Sequence, residues 1–214
     1  MSQTVKSGQE KSGRKGYHHG DLRSALIAAA LETIEELGPK RLTIREVAHR
    51  AGVSHAAPYR HFKDKNELII TVVERGFELL AETMEQEQEA AGEDALERFA
   101  ASGRAYFEFG LKYPAYYRVM FSGDLLNPDG GESLQHTSSA AFEQMKETLS
   151  SCQELGIIPK GDPVLQAVWI VSTVHGFISL VNDNRIGHLV GDRYAAEEVQ
   201  GYMMSAIYAG LGKA

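Results

Sequence analysis

The spacing of apolar residues constrains this chain more than any other feature of its sequence. From residue 21 onward, apolar side chains recur every three or four positions, which is the period of one face of an α-helix. The longest stripe contains Ile69, Val73, Phe77, Leu80 and Met84 and predicts a helix of about 26 residues. Similar stripes predict helices near 93–111, 114–121, 133–154, 163–182 and 193–210. Because the alternating pattern of β-strands is missing from the sequence, we predict an all-α fold.

Helix-capping residues divide the first third of the chain into short helices. Asp21 can cap a first helix, which ends at Gly38, and Thr43 can cap a second one. Gly52 ends the second helix after about two turns, and Ser54 is predicted to cap a third. Two short helices joined by a tight turn that contains glycine are typical of a helix-turn-helix.

The third helix is predicted within the sequence AGVSHAAPYRHF at 51–62. Pro58 lies only four positions after the cap, so the backbone hydrogen bond that it deletes is at the edge of the helix. Pro58 and Phe62 are expected to face the interior, which leaves small and polar residues outside. Such a helix can press deep into a major groove, where His55 can meet base edges and Ala56 a thymine methyl group.

Groups suited to phosphate surround this segment. Thr43 is at a helix N-terminus, where free N–H groups and the helix dipole favour an anion. Lys65 is in the first turn of the long helix, where a cation opposes the dipole unless an anion is bound nearby. Tyr59 and His61 can also donate hydrogen bonds to phosphates. The predicted DNA-binding residues are Thr43, Arg45, Ser54, His55, Ala56, Tyr59, Arg60, His61 and Lys65.

The segment LTIREVAHRAGVSHAAPYRHFKDKNELI resembles the DNA-binding signature of the tetracycline-repressor (TetR) family of bacterial transcriptional regulators, and the resemblance covers residues 17 to about 70. It implies phosphate contacts for Thr43, Tyr59, His61 and Lys65 and base contacts for Ser54, His55 and Ala56. Pro58 departs from the family pattern, in which an aliphatic residue is commoner.

The remainder of the chain resembles the family in its layout of a long linking helix followed by a divergent helical ligand domain. Trp169 together with His175 and Gly176 resembles a subgroup whose C-terminal domain carries Trp and His-Gly residues. The resemblance implies a homodimer in which the last two helices of each protomer form a four-helix bundle with their mates. Small residues on the helix at 193–210 fit such close packing.

A pocket for a small-molecule effector is predicted in the same domain. Gly103 and Gly110 are expected to leave room between helices beside aromatic side chains. The candidate lining residues are Phe99, Tyr106, Tyr116, Tyr117, Met120, Phe142, Met145, Trp169 and His175. The alternative for each of these residues is an ordinary place in the hydrophobic core.

We therefore divide the chain into a flexible basic arm at 1–16, a helix-turn-helix DNA-binding domain at 17–68 and a helical ligand-binding and dimerisation domain at 69–214. Charge agrees with this division, since residues 1–68 hold 12 Lys and Arg against 8 Asp and Glu whereas the rest of the chain is strongly acidic. Arg14 and Lys15 of the arm can enter a minor groove.

Several classes of protein are excluded or disfavoured. The single Cys152 forms no internal disulfide, and the N-terminus carries no apolar signal region, so we expect a cytoplasmic protein. We expect no metal, cofactor or catalytic site, because His49, His55 and His61 recur every six residues and no phosphate-binding or nucleophile motif is present. Residues 163–182 carry no charge, and we expect them to form a helix buried on all sides of a soluble protein, without contact with a membrane.

The resulting interpretation is a ligand-responsive transcriptional regulator, namely a homodimeric repressor that binds a near-palindromic double-stranded DNA operator. A ligand would tilt the long helix that carries Lys65 and so alter the spacing of the two DNA-reading heads. One alternative is a helical small-molecule binding or enzymatic protein whose helix-turn-helix head is not used on DNA. Another is a membrane-associated protein that inserts residues 163–182.

Overall fold

The computed structural model describes residues 21–122 and 131–211, and these ranges contain helices and connecting turns without a strand. The α-helices are α1 (Asp21–Leu37), α2 (Ile44–Arg50), α3 (Lys65–Ala90), α4 (Ala95–Lys112), α5 (Pro114–Met120), α6 (Gly131–Glu154), α7 (Pro163–Asn182), α8 (Ile186–Val190) and α9 (Ala196–Leu211). The prediction of an all-α fold is confirmed, although the sequence patterns missed the short α8. The predicted arm at 1–16, with Arg14 and Lys15, lies outside the described residues.

The turn after α2 forms as its sequence requires. Thr43 caps α2 by accepting a hydrogen bond at its Oγ1 from the Glu46 backbone nitrogen at 3.1 Å. At the other end, Gly52 adopts a positive φ of 67°. The backbone nitrogen of Gly52 donates to the His49 carbonyl, and that of Val53 donates to the buried Ala48 carbonyl. These two bonds satisfy the last carbonyls of α2 in a Schellman motif and fix the direction of the chain that follows.

The third helix, which Ser54 was expected to cap, is present only as a short 3-10 helix, so the prediction of an α-helix that begins after Ser54 is wrong. The chain instead forms turns that lead into one 3-10 helix, Pro58–Arg60. Because Pro58 has no N–H, the Ser54 carbonyl accepts its hydrogen bond from Ala57, three residues on, at 2.9 Å. That bond tightens the backbone to the 3-10 spacing, which Arg60 continues by donating to the Ala57 carbonyl at 3.2 Å. The predicted inward placement of Pro58 and Phe62 is confirmed, since both side chains are buried.

Helix α3 connects the helix-turn-helix to the rest of the molecule. Asp64 caps it by accepting from the Glu67 backbone nitrogen at 3.0 Å, and the Glu67 carboxylate accepts in turn from the Lys63 nitrogen. The predicted length of 26 residues is confirmed, and the whole predicted apolar stripe is buried. Helices α4, α5 and α6 pack against α3. The predicted domain boundary between residues 68 and 69 therefore falls inside a continuous helix.

Helix α7 is only partly buried in the single chain, contrary to the expectation that it is buried on all sides. Its buried residues are Ala167, Ile170, Val174, Phe177 and Ile178. The opposite face leaves Leu165, Val168 and Trp169 largely exposed, although the Trp169 ring contacts α9 at Gly210. Among the described residues, α7 is also the one helix that is long and apolar enough to cross a membrane.

Gly110 of α4 serves close packing and does not leave the predicted room between helices. A Cβ atom added at Gly110 would lie 2.7 Å from Ile178 Cγ2 of α7, so the isoleucine already fills that space. At Gly103, about two turns earlier on the same helix, the nearest atom to an added Cβ is Met204 Cε at 3.5 Å, an ordinary contact. The two glycines therefore have different structural roles although both occur within α4.

We expect Gly110→Ala to destabilise the protein by about 1–2 kcal/mol, because the clash with Ile178 outweighs the higher helix propensity of alanine. Gly103→Ala is the matched control, and its helix propensity should leave the free energy of unfolding unchanged or raise it by up to ~1 kcal/mol. Urea unfolding followed by circular dichroism measures both variants. Equal stabilities of the two variants would contradict the close packing of α4 against α7.

Candidate nucleic-acid interface and ligand cavities

The predicted DNA-binding residues lie on one continuous segment between the start of α2 and the start of α3. The side chains of Thr43, Arg45, Ser54, His55, Ala56, Tyr59 and Arg60 are exposed, and those of His61 and Lys65 are half-buried. We call this segment, Thr43–Lys65, the recognition surface. Most of its predicted contact groups can therefore reach a partner without a change in the fold.

Buried anchors hold the recognition surface in place. Pro58 and Phe62 enter the core on either side of Tyr59 and Arg60, so these two side chains point outward. The Thr43 hydroxyl accepts from the backbone at the N-terminus of α2, and its own hydrogen remains available to donate to a phosphate. A hydroxyl held in this way has little freedom to lose when it binds.

Two arginines, Arg50 and Arg23, stabilise the recognition surface through contacts with its buried side. The sequence patterns did not identify either of them. Arg50 donates to Glu46 at 2.8 Å and to Glu36 of α1 at 2.6 Å, so it ties α2 to α1. Hydrogen bonding to these carboxylates raises the pKa of Arg50, and the Arg50 hydrogen bond lowers the pKa of Glu36. The Arg23 guanidinium lies 5.5 Å from the centre of the Phe62 ring. The helical spacing of Glu46 and Arg50 was the available sequence signal for the first of these contacts.

Other cations of the recognition surface are free for a partner. Within the described part of the chain, Arg45, Arg60 and Lys65 form no ion pair with another residue, whereas Arg50 is committed to two glutamates. Unpaired cations around exposed small residues form a surface that attracts a polyanion. The same described ranges contain no cluster of His, Cys, Asp and Glu that could hold a metal ion.

Phe121 lines two of the cavities in the helical domain. The outer cavity, of about 310 Å³, is lined by Pro39, Tyr117, Arg118, Phe121, Ser122, His175, Ser179, Asn182 and Asp183. The inner cavity, of about 270 Å³, is lined by Phe77, Leu80, Tyr106, Phe121, Ala141, Phe142, Met145 and Val171. The outer cavity is thus polar and reaches the turn between α1 and α2, whereas the inner cavity is mainly apolar.

The predicted pocket residues are distributed over more than one place. Tyr106, Phe142 and Met145 line the inner cavity, and Tyr117 and His175 line the outer one. Four others are absent from the described linings of both cavities. Phe99 packs edge-on against Tyr208, Tyr116 and Met120 pack against Gly76, and Trp169 packs against Gly210 of α9. Their part in ligand binding remains a prediction, as it does for the five residues that line the cavities.

A polar pair lines the outer cavity. The Tyr117 hydroxyl lies 2.7 Å from His175 Nδ1, and their rings stack at 5.4 Å. Burial lowers the pKa of His175, so the imidazole is neutral at pH 7 and its Nδ1 can accept the phenol hydrogen. Burial also raises the pKa of Tyr117.

The Tyr106 hydroxyl is buried without a hydrogen-bond partner among the described residues. The Tyr106 side chain is only 5% exposed, and burial raises its pKa to about 12. Tyr117 lies close enough to moderate this pKa, yet its hydroxyl is not placed to complete a hydrogen bond with Tyr106. The inner cavity is therefore lined by a residue that carries an unsatisfied donor.

Two family models match the chain, and the first of them extends into the start of α3. The model described as bacterial regulatory proteins, tetR family, matches residues 26–72, and the one described as tetracyclin repressor-like, C-terminal domain, matches residues 99–200. Together the two models cover most of the chain. The first contains the recognition surface, and the second contains parts of both cavities.

Individual relatives agree with these matches. The HTH-type transcriptional activator FasR of Mycolicibacterium smegmatis is 32% identical over 102 residues, so the match spans about half the length of each protein, 48% of this chain and 46% of FasR. A solved structure of a protein with unknown function from Rhodococcus sp. RHA1 is 30% identical, with a TM-score of 0.79 over 94% of this chain and 100% of that one. The structure of AibR in complex with isovaleryl coenzyme A and operator DNA is 16% identical, with a TM-score of 0.69 over 89% and 98% of the two chains.

Proposed function

Because the chain belongs to the tetR family of bacterial regulatory proteins, we propose that it is a homodimeric, ligand-responsive repressor that binds a near-palindromic DNA operator in the cytoplasm. The observation that carries this proposal is the recognition surface, whose exposed small residues are surrounded by the unpaired cations Arg45, Arg60 and Lys65. Its role is to bind and regulate rather than to catalyse a reaction.

Contacts with DNA divide into those that position the protein and those that read the sequence. Thr43, Tyr59, His61 and Lys65 hold phosphates on both sides of a major groove. Ser54, His55 and Ala56 meet the base edges between them. These three residues are on turns that precede a 3-10 helix. The segment that enters the groove is therefore shorter than an α-helical recognition helix.

The exposed apolar face of α7 supports the homodimer. Leu165, Val168 and Trp169 of α7 and Tyr202 of α9 are exposed in the single chain. A second copy that packs the same two helices against this face buries it in a four-helix bundle, which removes apolar surface from water. The two recognition surfaces of such a dimer are related by two-fold symmetry, and the operator should therefore be near-palindromic.

Helix α3 connects the inner cavity, where an effector would bind, to the recognition surface. It lines the inner cavity with Phe77 and Leu80 and carries Lys65 at its first turn, roughly 18 Å from Phe77 along the helix axis. An effector that rotates α3 by a few degrees displaces Lys65 from its phosphate. In a dimer the same rotation changes the distance between the two recognition surfaces. The AibR complex, which holds both isovaleryl coenzyme A and operator DNA, supports an effector-controlled mechanism in this fold.

Selection of bound fragments from random duplex DNA tests the proposal. We expect recovered sites with inverted repeats whose half-sites are one helical turn or a multiple of it apart. A reporter gene placed behind the recovered site then tests repression, which matters because FasR is named an activator. Recovery of no enriched sequence, together with intact binding of a small molecule, would favour a helical ligand-binding protein whose helix-turn-helix is not used on DNA.

A further inference from the structure

The inner cavity restricts the chemistry of the molecule that can occupy it. Its described lining residues carry no charge, and Tyr106 supplies the one polar side chain among them. A carboxylate, phosphate or ammonium group placed there would lose its hydration without gaining a countercharge, which is strongly unfavourable. The occupant that fits this lining is therefore neutral and mainly apolar.

Size gives a second restriction. A cavity of about 150 Å³ is sufficient for benzene, so the inner cavity, at about 270 Å³, has room for roughly eleven non-hydrogen atoms. A molecule of that size fills the space between α3, α4 and α6 without displacing the core residues that surround it.

The Tyr106 hydroxyl gives the third restriction, because a buried donor without a partner lowers stability until something accepts its hydrogen. Since burial raises the pKa of Tyr106 to about 12, the hydroxyl keeps its proton at neutral pH and acts as a donor. The Tyr117 hydroxyl donates to His175 and its oxygen could still accept, but no hydrogen bond joins Tyr106 to it, so the need of Tyr106 is not met there.

We propose that the effector of this regulator inserts a neutral, mainly apolar group of roughly eleven non-hydrogen atoms into the inner cavity and presents one hydrogen-bond acceptor, such as a carbonyl oxygen, to Tyr106. This inference rests on the proposed function, since it names the chemical class of the effector. It also assigns Tyr106 the role of selecting a ligand that carries an acceptor over a hydrocarbon of the same shape.

Three probes of similar size test the proposal by equilibrium dialysis against the full-length protein: butyrophenone, n-butylbenzene and 4-phenylbutyrate. We expect butyrophenone to bind about tenfold more tightly than n-butylbenzene, because only the ketone satisfies Tyr106. 4-Phenylbutyrate should bind most weakly, since its carboxylate finds no partner in the cavity.

Substitutions in and outside the inner cavity test where the probes bind and which residue causes the preference for the ketone. Tyr106→Phe should remove the tenfold preference by weakening the binding of butyrophenone, whereas Tyr113→Phe, which is in the lining of neither cavity, should leave the preference as it is. Ala141→Leu places extra carbon atoms in the inner cavity and should weaken both neutral probes at least tenfold. Without ligand, Tyr106→Phe should melt no lower than the wild type, because the substitution removes an unsatisfied donor.

The proposal is overturned if neither neutral probe binds, if the ketone preference survives Tyr106→Phe, if the carboxylate binds most tightly, or if Ala141→Leu has no effect. A lower melting temperature of unliganded Tyr106→Phe would show that the hydroxyl already has a partner and would also overturn it. Dialysis requires no DNA, so these outcomes are independent of whether the protein binds an operator. If the protein fails to bind an operator, the proposed ligand chemistry of the inner cavity is not affected. If the probes fail to bind the cavity, the proposed DNA binding is not affected.

Discussion

The double variant Tyr59→Ala/Lys65→Ala should bind the selected operator at least about 100-fold more weakly than the wild type. In a dimer the two substitutions remove four phosphate contacts, each of which contributes about 1 kcal/mol or more when a charged group takes part. Tyr59 is exposed and Lys65 is half-buried at the start of α3, so neither truncation removes a large part of the core. Fluorescence anisotropy with a labelled duplex measures the loss.

A matched control separates these contacts from general effects of charge and surface area. Tyr194→Ala/Lys160→Ala removes another exposed tyrosine together with an exposed lysine, far along the chain from the recognition surface, and it should retain DNA affinity within about threefold. Both double variants should bind butyrophenone as the wild type does. If the two double variants bind DNA equally well, the recognition surface is not where the protein holds phosphates.

The variant Leu165→Glu should convert the dimer to a monomer, with the dimer dissociation constant raised at least about 100-fold. Leu165 is 68% exposed in the single chain, so a glutamate there is solvated in the monomer. In the proposed bundle each protomer contributes the residue once, and two carboxylates would be buried without partners at a cost of several kcal/mol. Sedimentation velocity over a range of concentrations measures the change.

Leu155→Glu is the matched control, because Leu155 is also 68% exposed but follows α6 rather than lying on α7. It should leave the dimer intact. The monomeric Leu165→Glu variant should keep its helical circular dichroism spectrum and should lose most of its operator affinity, since one head alone makes half the contacts. A Leu165→Glu protein that sediments as the wild type does would exclude α7 from the interface.

Much of the helix-turn-helix was predictable because its determinants are local. The cap at Thr43, the positive φ at Gly52 and the cap at Asp64 each act within a few residues, and the structure contains all three. The third helix, which is a short 3-10 helix instead of the predicted α-helix, shows the limit of such reasoning. Because Pro58 is near the start of the predicted α-helix, only a small loss of helix stability was expected from it. The conformation depends instead on the Ser54 carbonyl, which accepts a hydrogen bond from Ala57, three residues later.

The ligand region was less predictable, because a cavity is defined by what distant residues leave unfilled. Gly110 looked like a gap in α4, yet Ile178, 68 positions later, fills it. Trp169 was predicted to line a pocket, and its contact with Gly210 of α9, 41 positions later, was not foreseen. Phe121, which lines both cavities, was not predicted, because nothing in its local pattern distinguishes it from other aromatic residues at the end of a helix.

The central claim is that the recognition surface binds duplex DNA through phosphate contacts, and the salt dependence of binding tests it most directly. With four phosphate contacts in each protomer, a dimer neutralises about eight phosphates, and log affinity should fall with log salt concentration with a slope of about −7. The measurement uses the wild-type protein and the selected operator over a range of potassium chloride concentrations. A slope near zero, or no retention of any duplex at low ionic strength, would contradict the claim.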